Sequence, residues 1–146
     1  MSVLIVPFYR YETLHVMFNT TTSRILNKKI SLKLPCGEIL PDEHRRTAAM
    51  RILFEQTGIV ASVTDKFELI DFGEFEFQDK KVDLFFIELS KTHEHLMLTE
   101  KYFKVISVSM IMESVDNFNK MDVAAIVSVL ANTSSILQES FDEEEN

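Results

Sequence analysis

A strand that ends at Pro35, a glycine two residues further on, and a helix held between Asp42 and Gly58 constrain this chain's fold more than any other part of it. Ile30, Leu32 and Leu34 alternate with Ser31 and Lys33, the period of a strand with one buried face. Pro35 stops that strand. Pro41 precedes Asp42, an N-cap residue type, and residues 43–57 are rich in helix formers. Gly58 stands where a left-handed C-cap belongs. A strand, a glycine-bearing loop and a helix therefore follow one another within thirty residues.

The flanking sequence supplies the other layers. Residues 3–6 and 13–18 are β-favouring runs separated by a polar aromatic stretch that reads as a turn. Residues 67–77 and 82–89 form a second expected pair around 78–81, with Phe75 and Phe77 on one face, a pattern of core packing. An apolar segment at 105–112 is broken at 116–119. Val123, Ile126, Val127 and Leu130 then fall at helical spacing, predicting a final amphipathic helix. Strands around two helices in this order predict an α/β/α sandwich with a mixed sheet.

The 146 residues suffice for one core, assigned to residues 1–138. The hydrophobic fraction of 46% argues against disorder, and no apolar run is long enough to cross a bilayer as a helix, so no membrane role is expected. The start of the chain reads as lacking an export leader. A lone Cys36 excludes an internal disulfide. Glu139, Asp142, Glu143, Glu144 and Glu145 make residues 139–146 an acidic tail, expected to be solvated and disordered. Removing those five charges from the total of −8 leaves −3 on the body, so bound RNA cannot depend on a general basic field. It would depend on stacking and backbone contacts.

Gly37, Glu43, Arg51, Leu53, Glu55, Gly58 and Ile59 match in register a pattern that resembles the Nudix box. The resemblance implies a Nudix-type α/β/α sandwich. The chemistry explains the spacing: a glycine loop admits a diphosphate, and carboxylates one helical turn apart converge on a divalent metal. Two expected glutamates are replaced, by Ile52 and Gln56. Ile52 can neither take a proton nor bind an ion, and Gln56 is neutral where an anionic ligand is expected. Loss of a general base typically costs about two to four orders of magnitude in rate. The sequence thus predicts a vestigial box, Gly37, Glu43, Arg51, Glu55 and Gly58, with no catalytic or metal-binding residue and no cofactor.

This pattern of loss is similar to that of the small Nudix-fold subunit of pre-mRNA cleavage factor Im. The similarity extends to residues 3–6, 33–38, 84–89 and 103–106, and on to Asp116 and Asn117. It implies a nuclear, homodimeric subunit that binds UGUA-like RNA without hydrolysing it, beside a larger RRM-containing subunit, in 3′-end cleavage and polyadenylation. Leu34 is the RNA-contact position that persists. The family's stacking aromatic corresponds to Ser31 and a tyrosine before the last helix to Met121, while Phe118 offers a ring nearby or packs within its loop. Weaker and less selective RNA binding is the expectation.

Two other readings stay open: a residual metal-dependent hydrolase of a nucleoside diphosphate derivative using Glu43, Glu55 and Glu100, and a nucleotide sensor that keeps the pocket without turnover. His93 and His95 flank Glu94 in a polar segment without the partners of a metal site. Cys36 has no evident activating histidine and reads as a small loop residue rather than a nucleophile.

Overall fold

The computed structural model describes residues 1–22, 30–61, 68–89 and 103–145, with the backbone alone described at 11, 20–22, 30, 31, 103 and 133–145. Residues 3–9 of β1 (Ser2–Tyr11) are buried without interruption, which a strand achieves only when both faces of its sheet are covered. Val3, Ile5 and Tyr9 face one apolar cluster; Leu4, Val6 and Phe8 face another. Parallel to β1 lies β6 (Lys80–Leu89), from Ser2 opposite Val82 to Tyr9 opposite Leu89. The far end of β1 turns at Glu12, in the left-handed region at φ 60°, into the antiparallel β2 (Thr13–Thr22). The turn is therefore a single residue, and the aromatic stretch expected to form it belongs to β1.

In the main sheet β3 (Ile30–Lys33) pairs with β2, then come β1, β6 and β5 (Ile70–Phe77). Two shorter strands join at the sides: β4 (Cys36–Glu38) antiparallel to the first residues of β1, and β7 (Phe103–Ser107) antiparallel to β2. One parallel pair among antiparallel ones makes the sheet mixed, as expected. β5 and β6 close through Gln78 and Asp79, both at positive φ, the geometry of a two-residue hairpin turn.

Helix α1 (Arg45–Thr57) covers one face with Ala48, Ala49, Ile52 and Leu53. Its N-cap is His44, whose Nδ1 accepts the Arg46 N–H, and not Asp42. Asp42 instead sits at φ 63° in a turn closed by the Glu43 N–H on the Leu40 carbonyl, a conformation that aspartate tolerates. Gly58, at φ 76°, ends the helix as expected.

The other face is covered by two helices rather than one. The apolar segment at 105–112 breaks at Ser107, whose hydroxyl caps α2 (Val108–Glu113), so Ile111 reaches the core from a helix. After a 3-10 turn (Val115–Asn117), α3 (Lys120–Glu145) lays Ala125, Ile126 and Val129 on the sheet. Its backbone is helical to Glu145, so the acidic residues expected as a disordered tail continue this helix. None of the described helices is long and apolar enough to cross a membrane.

Candidate functional site

Arg51, on the second turn of α1, organises the loop in front of that helix. Its Nε and Nη2 donate to the two oxygens of Glu43 at 2.8 and 3.0 Å, a fork-to-fork pair, and Nη2 also donates to the Glu38 carbonyl at 2.9 Å. A third nitrogen, Nη1, lies 3.3 Å from Glu55 one turn further on. Glu43 Oε1 accepts in addition from the Leu40 N–H at 3.1 Å. The Arg51 hydrogen bonds and the Leu40 N–H hold the Glu43 carboxyl below its usual range. Three donors on a group with about four acceptor sites leave little for an incoming cation.

The two positions where the sequence departs from the box both serve the interior. Ile52 is 2% exposed and lies under the loop: a Cβ on Gly37 would come within 3.0 Å of its Cδ1. Gly37 is thus required by the close approach of Ile52. Gln56 pairs with the loop backbone in both directions. Its Nε2 donates to the Cys36 carbonyl at 2.6 Å, and its Oε1 accepts from the Cys36 N–H at 3.2 Å and from Asn19 Nδ2 at 2.8 Å.

A divalent metal prefers several anionic or carbonyl oxygens converging on one point. Here Glu43 is committed to Arg51, Gln56 to Cys36, and Ile52 offers no ligand atom. Of Glu43 and Glu55, Glu55 alone is exposed, and it lies beside a guanidinium. Among the described residues no group of three or more His, Cys, Asp or Glu is placed to hold a metal ion. The residues present do not fit the metal that the box implies. Glu100, His93, Glu94 and His95 lie outside the described residues.

Beside the same loop, with Cys36 and Glu38 among its lining, a cavity of about 670 Å³ opens between the start of β1, the β5–β6 turn and the first turn of α3. Lys33, Lys80, Lys81 and Lys120 line it, with Glu38 and Asp122 as its carboxylates and Phe77 and Met121 among its apolar walls. Asp122 is 3% exposed. Its Oδ2 accepts the Leu34 N–H at 3.0 Å, while its own N–H is capped by Asn119 Oδ1 at 3.1 Å. Burial pushes its pKa up to about 6, against the Leu34 N–H and Lys33, which favour the charged form.

Leu34, expected at an RNA contact, has its side chain 1% exposed in the core beneath α3, so it presents no surface to a base. Phe118 packs on Phe18, centroids 5.3 Å apart. Met121 is half-buried, and the side chain of Ser31 lies outside the described residues. The four lysines and Asp122 were not singled out from the sequence. They are scattered over ninety residues without a motif, and only folding gathers them.

No family model matches this chain, and no curated protein does. Solved structures do. A mutT/nudix family protein from Listeria innocua superposes with a TM-score of 0.64 at 15% identity, over 96% of this chain and 93% of that one. The chain has the Nudix fold. An Ap4A hydrolase from C. elegans, solved as a binary complex, shares the Nudix fold with a TM-score of 0.64 at 11% identity, over 92% of this chain and 99% of its own. NrtR of Shewanella oneidensis matches 90% of this chain with a TM-score of 0.65 at 15% identity, but this chain covers only 64% of it.

Proposed function

We propose that this protein is a noncatalytic Nudix-fold module that binds a nucleotide, free or within RNA, without hydrolysing it. The observation that carries the reading is the engagement of Gln56 with both backbone groups of Cys36, at the position where a hydrolase of this type needs a metal-binding carboxylate. Ile52 under Gly37 and Glu43 locked to Arg51 support it. The lysine-lined cavity gives a nucleotide somewhere to sit. The sequence likeness to the small subunit of cleavage factor Im favours RNA among nucleotide ligands, and with it a homodimer in a nuclear 3′-end processing complex.

The test is hydrolysis of dinucleoside polyphosphates, ADP-sugars and nucleoside triphosphates with Mg²⁺ or Mn²⁺, against a Glu55→Gln control. No difference between the two proteins is expected. Turnover at ordinary enzyme rates, about 1–1,000 per second, that disappears in the control would overturn the proposal. In that event the second reading stands: a hydrolase built on Glu55, favoured by the near full-length superposition on an Ap4A hydrolase. Affinity purification from the native source tests the RNA-processing assignment separately, since polyadenylation factors should co-purify.

A further inference from the structure

The cavity beside α3 differs in charge from the molecule around it. Excluding the acidic end, the body carries −3, yet four lysines and two carboxylates line this one space. The lysines come from three separate elements: Lys33 ends β3, Lys80 and Lys81 begin β6, and Lys120 begins α3. Lys81 Nζ lies 3.6 Å from Glu74 Oε1, which leaves Lys33, Lys80 and Lys120 as the like charges that an anion placed between them would stabilise. At about 670 Å³ the space falls within the range of about 300–1,000 Å³ usual for small-molecule sites.

The second feature is the orientation of Asp122. Its Oδ2 is occupied by the Leu34 N–H, and among the described residues no donor is placed on Oδ1. Asp122 is nearly buried and lines the cavity, so its second oxygen is left to accept a hydrogen bond from what fills that space. Phe77 supplies an aromatic surface in the same wall.

We infer that this cavity holds a nucleoside phosphate with its phosphate on the lysines, away from α1 and without a metal, and a ring N–H of its base on Oδ1 of Asp122. The inference rests on the binding reading above and adds the site, the phosphate contacts and the base class. Uracil and guanine carry a ring N–H; adenine and cytosine present a ring nitrogen lone pair there, which an anionic oxygen repels. A free nucleotide and the phosphorylated end of an RNA share this chemistry.

The experiment is calorimetric titration of the full chain at pH 7.5 with the four nucleoside monophosphates, their nucleosides, and 5′-phosphorylated and 5′-hydroxyl oligoribonucleotides. UMP or GMP should bind more tightly than AMP and CMP, and removing the phosphate should weaken binding at least about tenfold, with strong salt dependence. The double variant Lys33→Gln, Lys120→Gln should lose about as much. Asp122→Asn is the decisive variant. Its amide oxygen keeps the Leu34 bond and turns an NH₂ into the cavity, so the open group changes from acceptor to donor. The base preference should invert toward AMP and CMP, whose ring nitrogen accepts from that NH₂, and the original protein should reject N3-methyl-UMP. Preference for a 5′-phosphorylated over a 5′-hydroxyl oligoribonucleotide would support an RNA end as the source, and tighter binding of the free nucleotide would support a mononucleotide. Nucleotide binding with affinity and base ranking unchanged in folded variants would overturn this site while leaving the binding reading intact. Failure of every nucleotide and oligonucleotide to bind the original protein would overturn both.

Discussion

Gln56 holds both backbone groups of Cys36, donating to its carbonyl at 2.6 Å and accepting its N–H at 3.2 Å, across twenty residues of chain. The amide is matched to a partner with one donor and one acceptor. A carboxylate has no hydrogen to give. Gln56→Glu should therefore turn the Cys36 carbonyl toward a negative oxygen and destabilise the fold by about 1–3 kcal/mol, the cost of an unsatisfied buried group. Thermal melting should fall by about 2–4 °C for each kcal/mol. The deficit should shrink as pH falls toward about 4, because the carbonyl raises the folded pKa of the new carboxyl and the protonated acid can donate again. An unchanged melting temperature with new Mg²⁺-dependent stabilisation would contradict this account.

Gly37 and Ile52 should behave as a coupled pair. Gly37→Ala places a methyl 3.0 Å from Ile52 Cδ1 and 3.1 Å from Cγ1, a contact the core has to absorb. The expected cost is about 1–3 kcal/mol from overpacking. Ile52→Ala alone should cost about 2–5 kcal/mol through the cavity it leaves. Together they should cost less than the sum, because the new methyl fills part of the vacated space. A double-mutant cycle by urea unfolding measures the coupling, and simple additivity would show that the two do not touch.

A carboxylate placed next to Arg51 should destabilise the fold. Ile52→Glu buries a charge among Val3, Ile5 and Leu53, with an expected loss of about 3–5 kcal/mol, comparable to an uncompensated buried ion. Circular dichroism and urea unfolding check this. A folded variant of unchanged stability would mean that the position faces solvent.

Asp122 and Glu43 should pull the pH profile of stability in opposite directions. Asp122 is raised in the folded state to about 6 from an ordinary 3.8, so the folded protein holds its proton between those values. Its contribution is least unfavourable below pH 4 and becomes a penalty as pH rises through 6, reaching at most about 3 kcal/mol. Glu43 is lowered, chiefly by its hydrogen bonds to Arg51, so its contribution is present above the ordinary carboxylate range and lost as pH falls through the depressed value. Asp122→Asn should thus stabilise the protein at pH 7–8 and change it little at pH 4. Arg51→Gln should remove the Glu43 contribution from the acid limb. Urea unfolding from pH 3.5 to 8 reads both.

Local spacing determined much of this protein from sequence alone. The strand, glycine loop and helix of residues 30–58 follow from alternation, from a proline and from the Gly58 cap, all interactions within a few residues. The paired strands around Gln78 and Asp79 and the last helix follow in the same way. The departures Ile52 and Gln56 were legible as residue types. What they do instead was decided by tertiary structure, because Gln56 finds Cys36 and Asn19, and Ile52 finds Gly37, only once β2, β4 and α1 have come together. Leu34 follows the same logic: its side chain goes to the core and its N–H to Asp122, eighty-eight positions along the chain. The capping of α1 by His44 and the break at Ser107 turn on backbone geometry that a propensity scale does not carry. The lysine-lined cavity is the extreme case, since charges distant in sequence have no period to betray them and meet only through the order of strands in the sheet.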